Sequence, residues 1–97
     1  MTVYISGSIR NDPNFRERFR QGEEAVLKMG HKVINPVTLD TLYPMPWATQ
    51  KDYANRDINL ILTECDAIYM LKGWMHSIGA RAEHAVAQWA ELVRMYE

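Results

Sequence analysis

The residues with the clearest chemical potential lie in Ser77-Ile-Gly-Ala-Arg-Ala-Glu83. This run reads as the first turns of a helix that carries one carboxylate, Glu83. Ser77 has the side chain of an N-cap, whose oxygen accepts from a free first-turn N–H. Gly79 and Ala80 lie one helical turn before Glu83 and share its face. Side chains this small leave space beside the carboxylate for a ligand the size of a sugar. Gly79 costs a helix about 1 kcal/mol relative to Ala, so a compensating role is expected. Close packing against a neighbouring helix is the competing explanation.

A second group is the loop Gly7-Ser8-Ile9-Arg10. Gly7 permits a tight turn. Backbone N–H groups ahead of a helix favour an anion, and the guanidinium of Arg10 is a forked donor suited to phosphate. The loop matches neither the Walker pattern nor GxGxxG, and a plain turn with a solvated Arg10 is equally compatible with it. Tyr4 is either a core ring or, with its hydroxyl turned to the site, a group that holds a carboxylate. Asp57 sits mid-helix beside Arg56, a usual setting for a solvated acid, and Asp52 and Asp66 compete for any acidic role. Asp66 most resembles a residue capping a turn at a strand start.

Other chemistries find little support. His31, His76 and His84 share no metal-ligand spacing, and His84 projects roughly 100° around the helix from Glu83. There is no GxSxG elbow for a serine hydrolase. The single Cys65 excludes an internal disulfide and a multi-cysteine metal site. Neither a metal nor a cofactor is expected. Tyr43, Trp47 and Trp74 are loop aromatics that could stack a base or close the core.

These groups need a scaffold to bring them together. Thr2–Ser6 is a short β-favouring run. A helix is expected from Pro13 or Asn14 to Met29, stopped by Gly30. Phe15, Phe19, Val26, Leu27 and Met29 form its apolar stripe, interrupted by Gly22. His31–Asn35 reads as a second strand closed by Pro36. Strand, helix and strand with short joints make a βαβ unit, which implies parallel strands. Val37–Thr49 has two prolines, Pro44 and Pro46, and no period and is expected to be a long loop over the site. Lys51–Glu64 is helical, with Tyr53, Ile58, Ile61 and Leu62 inward. Asp66–Leu71 is nearly all apolar, as a central parallel strand should be. The Ser77 helix runs through Trp89, and Leu92–Tyr96 either extends it or forms a fourth strand.

The expected fold is therefore α/β: one small three-layer, Rossmann-like domain over residues 1–97, with a parallel sheet of three to four strands ordered second, first, third. In such sheets ligands bind beyond the carboxyl ends of the strands, where Gly7–Asn11, the loop after Asn35 and Lys72–Ser77 should gather. The formal net charge of −1 gives no electrostatic case for long nucleic acid. No run reaches membrane-spanning length and no secretory leader is evident, so a cytoplasmic protein is expected. A chain of 97 residues buries a modest core, so a homodimer or higher homo-oligomer is expected.

Taken in order, these segments resemble the nucleoside 2-deoxyribosyltransferase family over nearly the whole chain. The branch most similar is that of the 2'-deoxynucleoside 5'-monophosphate N-hydrolases. Tyr4-Ile-Ser-Gly-Ser-Ile-Arg10 resembles that branch's phosphate loop. Arg56-Asp-Ile58 is similar to the family's Asp-Leu segment, and Ser77-Ile-Gly-Ala-Arg-Ala-Glu83 to its Ser/Asp-x-Gly-x-x-x-Glu segment. His84 departs from the aliphatic residue usual after the glutamate.

The resemblance implies Glu83 as nucleophile, Tyr4 as the residue orienting it and Asp57 as the acid near the leaving base. It implies a nucleotide substrate held at its 5'-phosphate by Gly7, Ser8, Ile9, Arg10, Ser77 and Gly79, with partner residues completing the site. The implied reaction cleaves the N-glycosidic bond of a deoxynucleoside monophosphate. A non-catalytic nucleotide-binding domain of the same fold, or a nucleoside deoxyribosyltransferase, are the alternatives.

Overall fold

The computed structural model describes all 97 residues. Four strands, β1 (Thr2–Ser6), β2 (Lys32–Ile34), β3 (Ala67–Met70) and β4 (Val93–Tyr96), form one parallel sheet ordered β2-β1-β3-β4. Four helices connect and flank them: α1 (Phe15–Lys28), α2 (Pro36–Leu42), α3 (Gln50–Glu64) and α4 (Ile78–Trp89). This is the expected parallel, Rossmann-like α/β domain. No helix is long and apolar enough to cross a membrane.

Strand alternation divides the core into two layers. Val3, Ile5, Ala67, Tyr69 and Leu71 face one way, onto Phe19 and Val26 of α1. Tyr4, Ile68 and Met70 face the other, onto Ile61 of α3 and Ala80 and Ala87 of α4. Burying one side chain such as Ile61 fully contributes about 1.5–3 kcal/mol, so each layer has enough such residues to hold its helices on the sheet.

Helix ends follow local chemistry. Gly30, at φ 87°, closes α1. Its N–H bonds to the Leu27 carbonyl and the His31 N–H to the Val26 carbonyl, the Schellman pairing that a left-handed glycine permits. Thr49 and Asp52 form a reciprocal capping box at the start of α3. That commits Asp52 to a structural role. Asp66 is likewise committed, since its Oδ2 accepts from the Thr2 N–H at 2.9 Å.

Several expectations need correction. The segment after Asn35 is not wholly loop, because Pro36–Leu42 is helix α2. Asn35 caps it by accepting from the Val37 N–H at 3.0 Å, and Pro36 occupies the first turn, where a missing N–H costs nothing. Pro36 thus opens a helix rather than merely closing a strand. Leu27 of α1, Met29 just after it and Leu62 of α3 are exposed, whereas Gly22 is buried. A Cβ on Gly22 would stand 2.7 Å from Leu71 Cδ2, so Gly22 admits Leu71 and is part of the packed stripe. Gly7 has the same role: a Cβ there would meet Leu71 at 2.9 Å, and Gly7 has no positive φ.

The tail forms β4, an edge strand paired with β3. The turn into it has the same Schellman pairing as the end of α1, with Leu92 N–H to the Ala87 carbonyl and Glu91 N–H to the Gln88 carbonyl. Its left-handed position is occupied by Glu91, at φ 61°.

Candidate functional site

β1 is central, with β2 on one side and β3 on the other. The crossovers therefore leave the sheet in opposite directions between β1 and β3, and this switch point is where open α/β sheets bind ligands. The loop after β1 and the segment after β3 meet here, with Asn11 Nδ2 donating to the His76 carbonyl at 3.5 Å.

Glu83 lies at this edge. Ser77 caps α4, its Oγ accepting from the Ala80 N–H at 3.2 Å, and the helix then carries Glu83 over the sheet. Tyr4 OH donates to Glu83 Oε2 at 2.8 Å, and Ser6 Oγ donates to Oε1 at 2.7 Å. Tyr4 and Ser6 are each only 1 % exposed. The two readings of Tyr4 therefore coexist: its ring is core and its hydroxyl holds the carboxylate. Ser6 was not among the expected site residues. Its signal is strand alternation, since residues i and i+2 share a face.

Asp57 is inward rather than solvated, its side chain 15 % exposed and its Oδ1 accepting from Arg56 Nε at 2.9 Å. Arg56 also donates through Nη1 to Asp40 of α2 at 2.7 Å, while its buried Nη2 has no partner. An Asp40–Arg56–Asp57 chain thus reaches the site from α2, a link that sequence reasoning missed because Asp40 lay in a supposed loop.

Burial governs the ionisation of these groups. It pushes Glu83 up to about 7, opposed by the hydroxyls of Ser6 and Tyr4 and reinforced by the charge of Asp57. It also raises Asp57, against the pull of Arg56. The Tyr4 phenol is raised well above its ordinary value by burial and by Glu83 and Asp57, so it stays a neutral donor. A carboxylate poised near neutrality beside a second raised acid is suited to nucleophilic attack paired with proton transfer.

The other expected binding residues are placed with mixed outcomes. Ser8 is buried in the loop after β1, while Ile9 and Arg10 are exposed. Asn14 at the start of α1 makes no side-chain cap bond; Asp12 covers this helix end instead, its Oδ1 accepting from the Asn14 N–H at 2.9 Å and its carbonyl from the Phe15 N–H at 3.2 Å. Gly79 is exposed, and a Cβ there would meet only Ser77 Oγ at 3.9 Å, so this side of the helix is open. Ala80 instead packs into the core. His84 turns away from Glu83, stacking on Trp74 with ring centroids 4.3 Å apart and pairing through Nε2 with Tyr96 OH at 2.8 Å. Tyr43 and Trp47 are exposed and do not close the core. No group of three or more His, Cys, Asp or Glu converges as metal ligands.

Residues 1–96 match the family described as "Domain of unknown function (DUF4406)", and the chain belongs to that family. No curated protein matches the chain.

Proposed function

We propose that this chain hydrolyses the N-glycosidic bond of 2'-deoxynucleoside 5'-monophosphates, releasing a free base and deoxyribose 5-phosphate. The observation that carries the reading is Glu83, half-buried at the carboxyl edge of the sheet with a hydroxyl on each oxygen. A ligand-binding edge of this kind needs no such carboxylate for phosphate, which a carboxylate repels. A sugar cation at the anomeric carbon does call for one. The resemblance of Tyr4–Arg10 and Ser77–Glu83 to the nucleoside 2-deoxyribosyltransferases supports the same assignment.

In this mechanism the C1'–N bond breaks as Glu83 forms a bond to C1', giving a glycosyl ester. Asp57, raised by its burial, supplies or relays the proton taken by the leaving base. Water then cleaves the ester, its oxygen bonding C1' and its proton passing to Asp57, which returns Glu83 as a carboxylate and leaves a hydroxyl on C1'. Ser8 and Arg10, in the loop after β1, hold the 5'-phosphate, with Ser77 and Gly79 on the opposite wall. The test is incubation with each of the four deoxynucleoside monophosphates, with chromatography for free base. Base and deoxyribose 5-phosphate in equal amounts are expected. Binding without base release would instead identify a nucleotide-binding domain, and transfer to an added second base would identify a transferase.

The assembly belongs to the same proposal. Ile58, Leu62, Val86, Trp89 and Ala90 line an apolar groove of about 330 Å³ between α3 and α4. Trp89, at the rim of this lining, is 88 % exposed. Two copies related by a two-fold axis would each place Trp89 against the other's groove, as an isologous interface requires.

A further inference from the structure

We propose that Ser6 is a positioning residue for the reaction, fixing the plane of the Glu83 carboxylate through the oxygen that Tyr4 does not hold. This deepens the glycosidase reading and rests on it for its kinetic consequence only. The last torsion of a glutamate is soft, so one hydrogen bond anchors a single oxygen and leaves the carboxylate free to rotate about it. Donors on both oxygens, Tyr4 at 2.8 Å and Ser6 at 2.7 Å, remove that freedom. Two acceptor sites of the carboxylate remain for an incoming sugar.

Ser6 is suited to this role and to little else. It is the last residue of β1, buried beneath the site, and donates its hydroxyl to Glu83. A buried hydroxyl is costly unless bonded, and an apolar residue would otherwise serve at this position. The other titratable or charged groups acting on Glu83 are Tyr4 of β1 and Asp57 and Arg56 of α3. On the same sheet face β3 presents only Ile68 and Met70. Ser6 is therefore a second hydroxyl donor to the ionised form, countering the burial that raises Glu83.

The experiment compares wild type, Ser6→Ala and Ser6→Thr by carboxyl NMR titration of Glu83 and by pH–rate profiles for base release. In Ser6→Ala the Glu83 ionisation is expected to move up by about one pH unit, the scale of one lost charge-assisted hydrogen bond. The ascending limb of kcat moves with it, so kcat at neutral pH falls about fivefold and recovers in alkali, with KM little changed. Ser6→Thr, which keeps the hydroxyl, restores the wild-type limb. An unchanged Glu83 titration in a folded Ser6→Ala protein would show that Ser6 is packing alone, whatever its activity. If wild type releases no base, the titration still decides the role of Ser6, and only the glycosidase reading falls.

Discussion

The phenolic hydroxyl of Tyr4 donates to Oε2 of Glu83 across 2.8 Å, although 79 residues separate the two in the chain. One lies in the first strand and the other in the last helix, so only the parallel sheet brings them together. Their union makes Glu83 a defined group rather than a surface carboxylate, and most of what can be tested follows from it.

Replacing Glu83 by Gln keeps the side chain's shape and removes the proposed nucleophile. Glu83→Gln is expected to fold and to bind deoxynucleoside monophosphates, measured by calorimetry, while base release drops by several orders of magnitude. Near-normal turnover would place the nucleophile elsewhere, or make water the direct attacker.

The ionisation of Glu83 also links stability to pH. Its folded value of about 7 lies above the 4.5 of a free glutamate, so between these values the folded protein holds a proton that the unfolded chain has lost. The resulting stabilisation is complete below about pH 4.5 and is lost as pH rises through about 7, amounting to about 3 kcal/mol. Thermal melts of wild type should therefore fall relative to those of Glu83→Gln across that window. Parallel curves would mean that Glu83 titrates normally. Activity runs the other way, rising with pH as the nucleophile ionises.

Arg10 is exposed and stands in the loop assigned to the 5'-phosphate. A charge-assisted contact of this kind is worth roughly 1.5–3 kcal/mol, so Arg10→Ala should lower kcat/KM for a monophosphate by about one to two orders of magnitude. The matching free nucleoside should change little. Equal effects on both substrates would make Arg10 a solvated side chain after a turn.

Glu91 occupies a left-handed position that favours glycine, at φ 61°. Glu91→Gly removes a strain of about 1–2 kcal/mol, partly offset by the greater freedom of glycine in the unfolded chain. A net gain of about 0.5–1 kcal/mol is expected in urea unfolding. A loss would mean that the Glu91 side chain contributes more than its backbone costs.

Trp89 tests the proposed dimer. Light scattering at micromolar concentration should give a dimer for wild type and a monomer for Trp89→Asp, with the isolated fold intact by circular dichroism. A monomeric wild type would overturn the assembly.

The sequence by itself determined the order of β1, α1, β2, α3, β3 and α4, the parallel sheet with β1 between β2 and β3, the stop at Gly30 and the cap at Ser77. These are short-range matters: hydrophobic period, N-cap chemistry and the left-handed tolerance of glycine act within a few residues of where they are read. The same rules would have located α2, since Asn35-Pro36 is an N-cap followed by a first-turn proline, but the prolines beyond it masked the signal. Of the candidate site, Glu83 was visible from the small residues before it, Tyr4 stood between core and site, and Asp57 entered only through the resemblance to the nucleoside 2-deoxyribosyltransferases.

Tertiary structure decided what those residues touch. Gly22 reads as a flaw in the α1 stripe until Leu71, 2.7 Å from its would-be Cβ, occupies the space. Ala80 reads as open space beside Glu83 until the sheet fills it. Ser6 and the Asp40–Arg56–Asp57 chain became partners of the site only once β1, α2 and α3 were placed. The tail became β4 because Glu91 accepts a left-handed turn that lets Val93–Tyr96 pair with β3. In each case the deciding energy is a contact between segments distant in the chain, and local pattern carries no record of it.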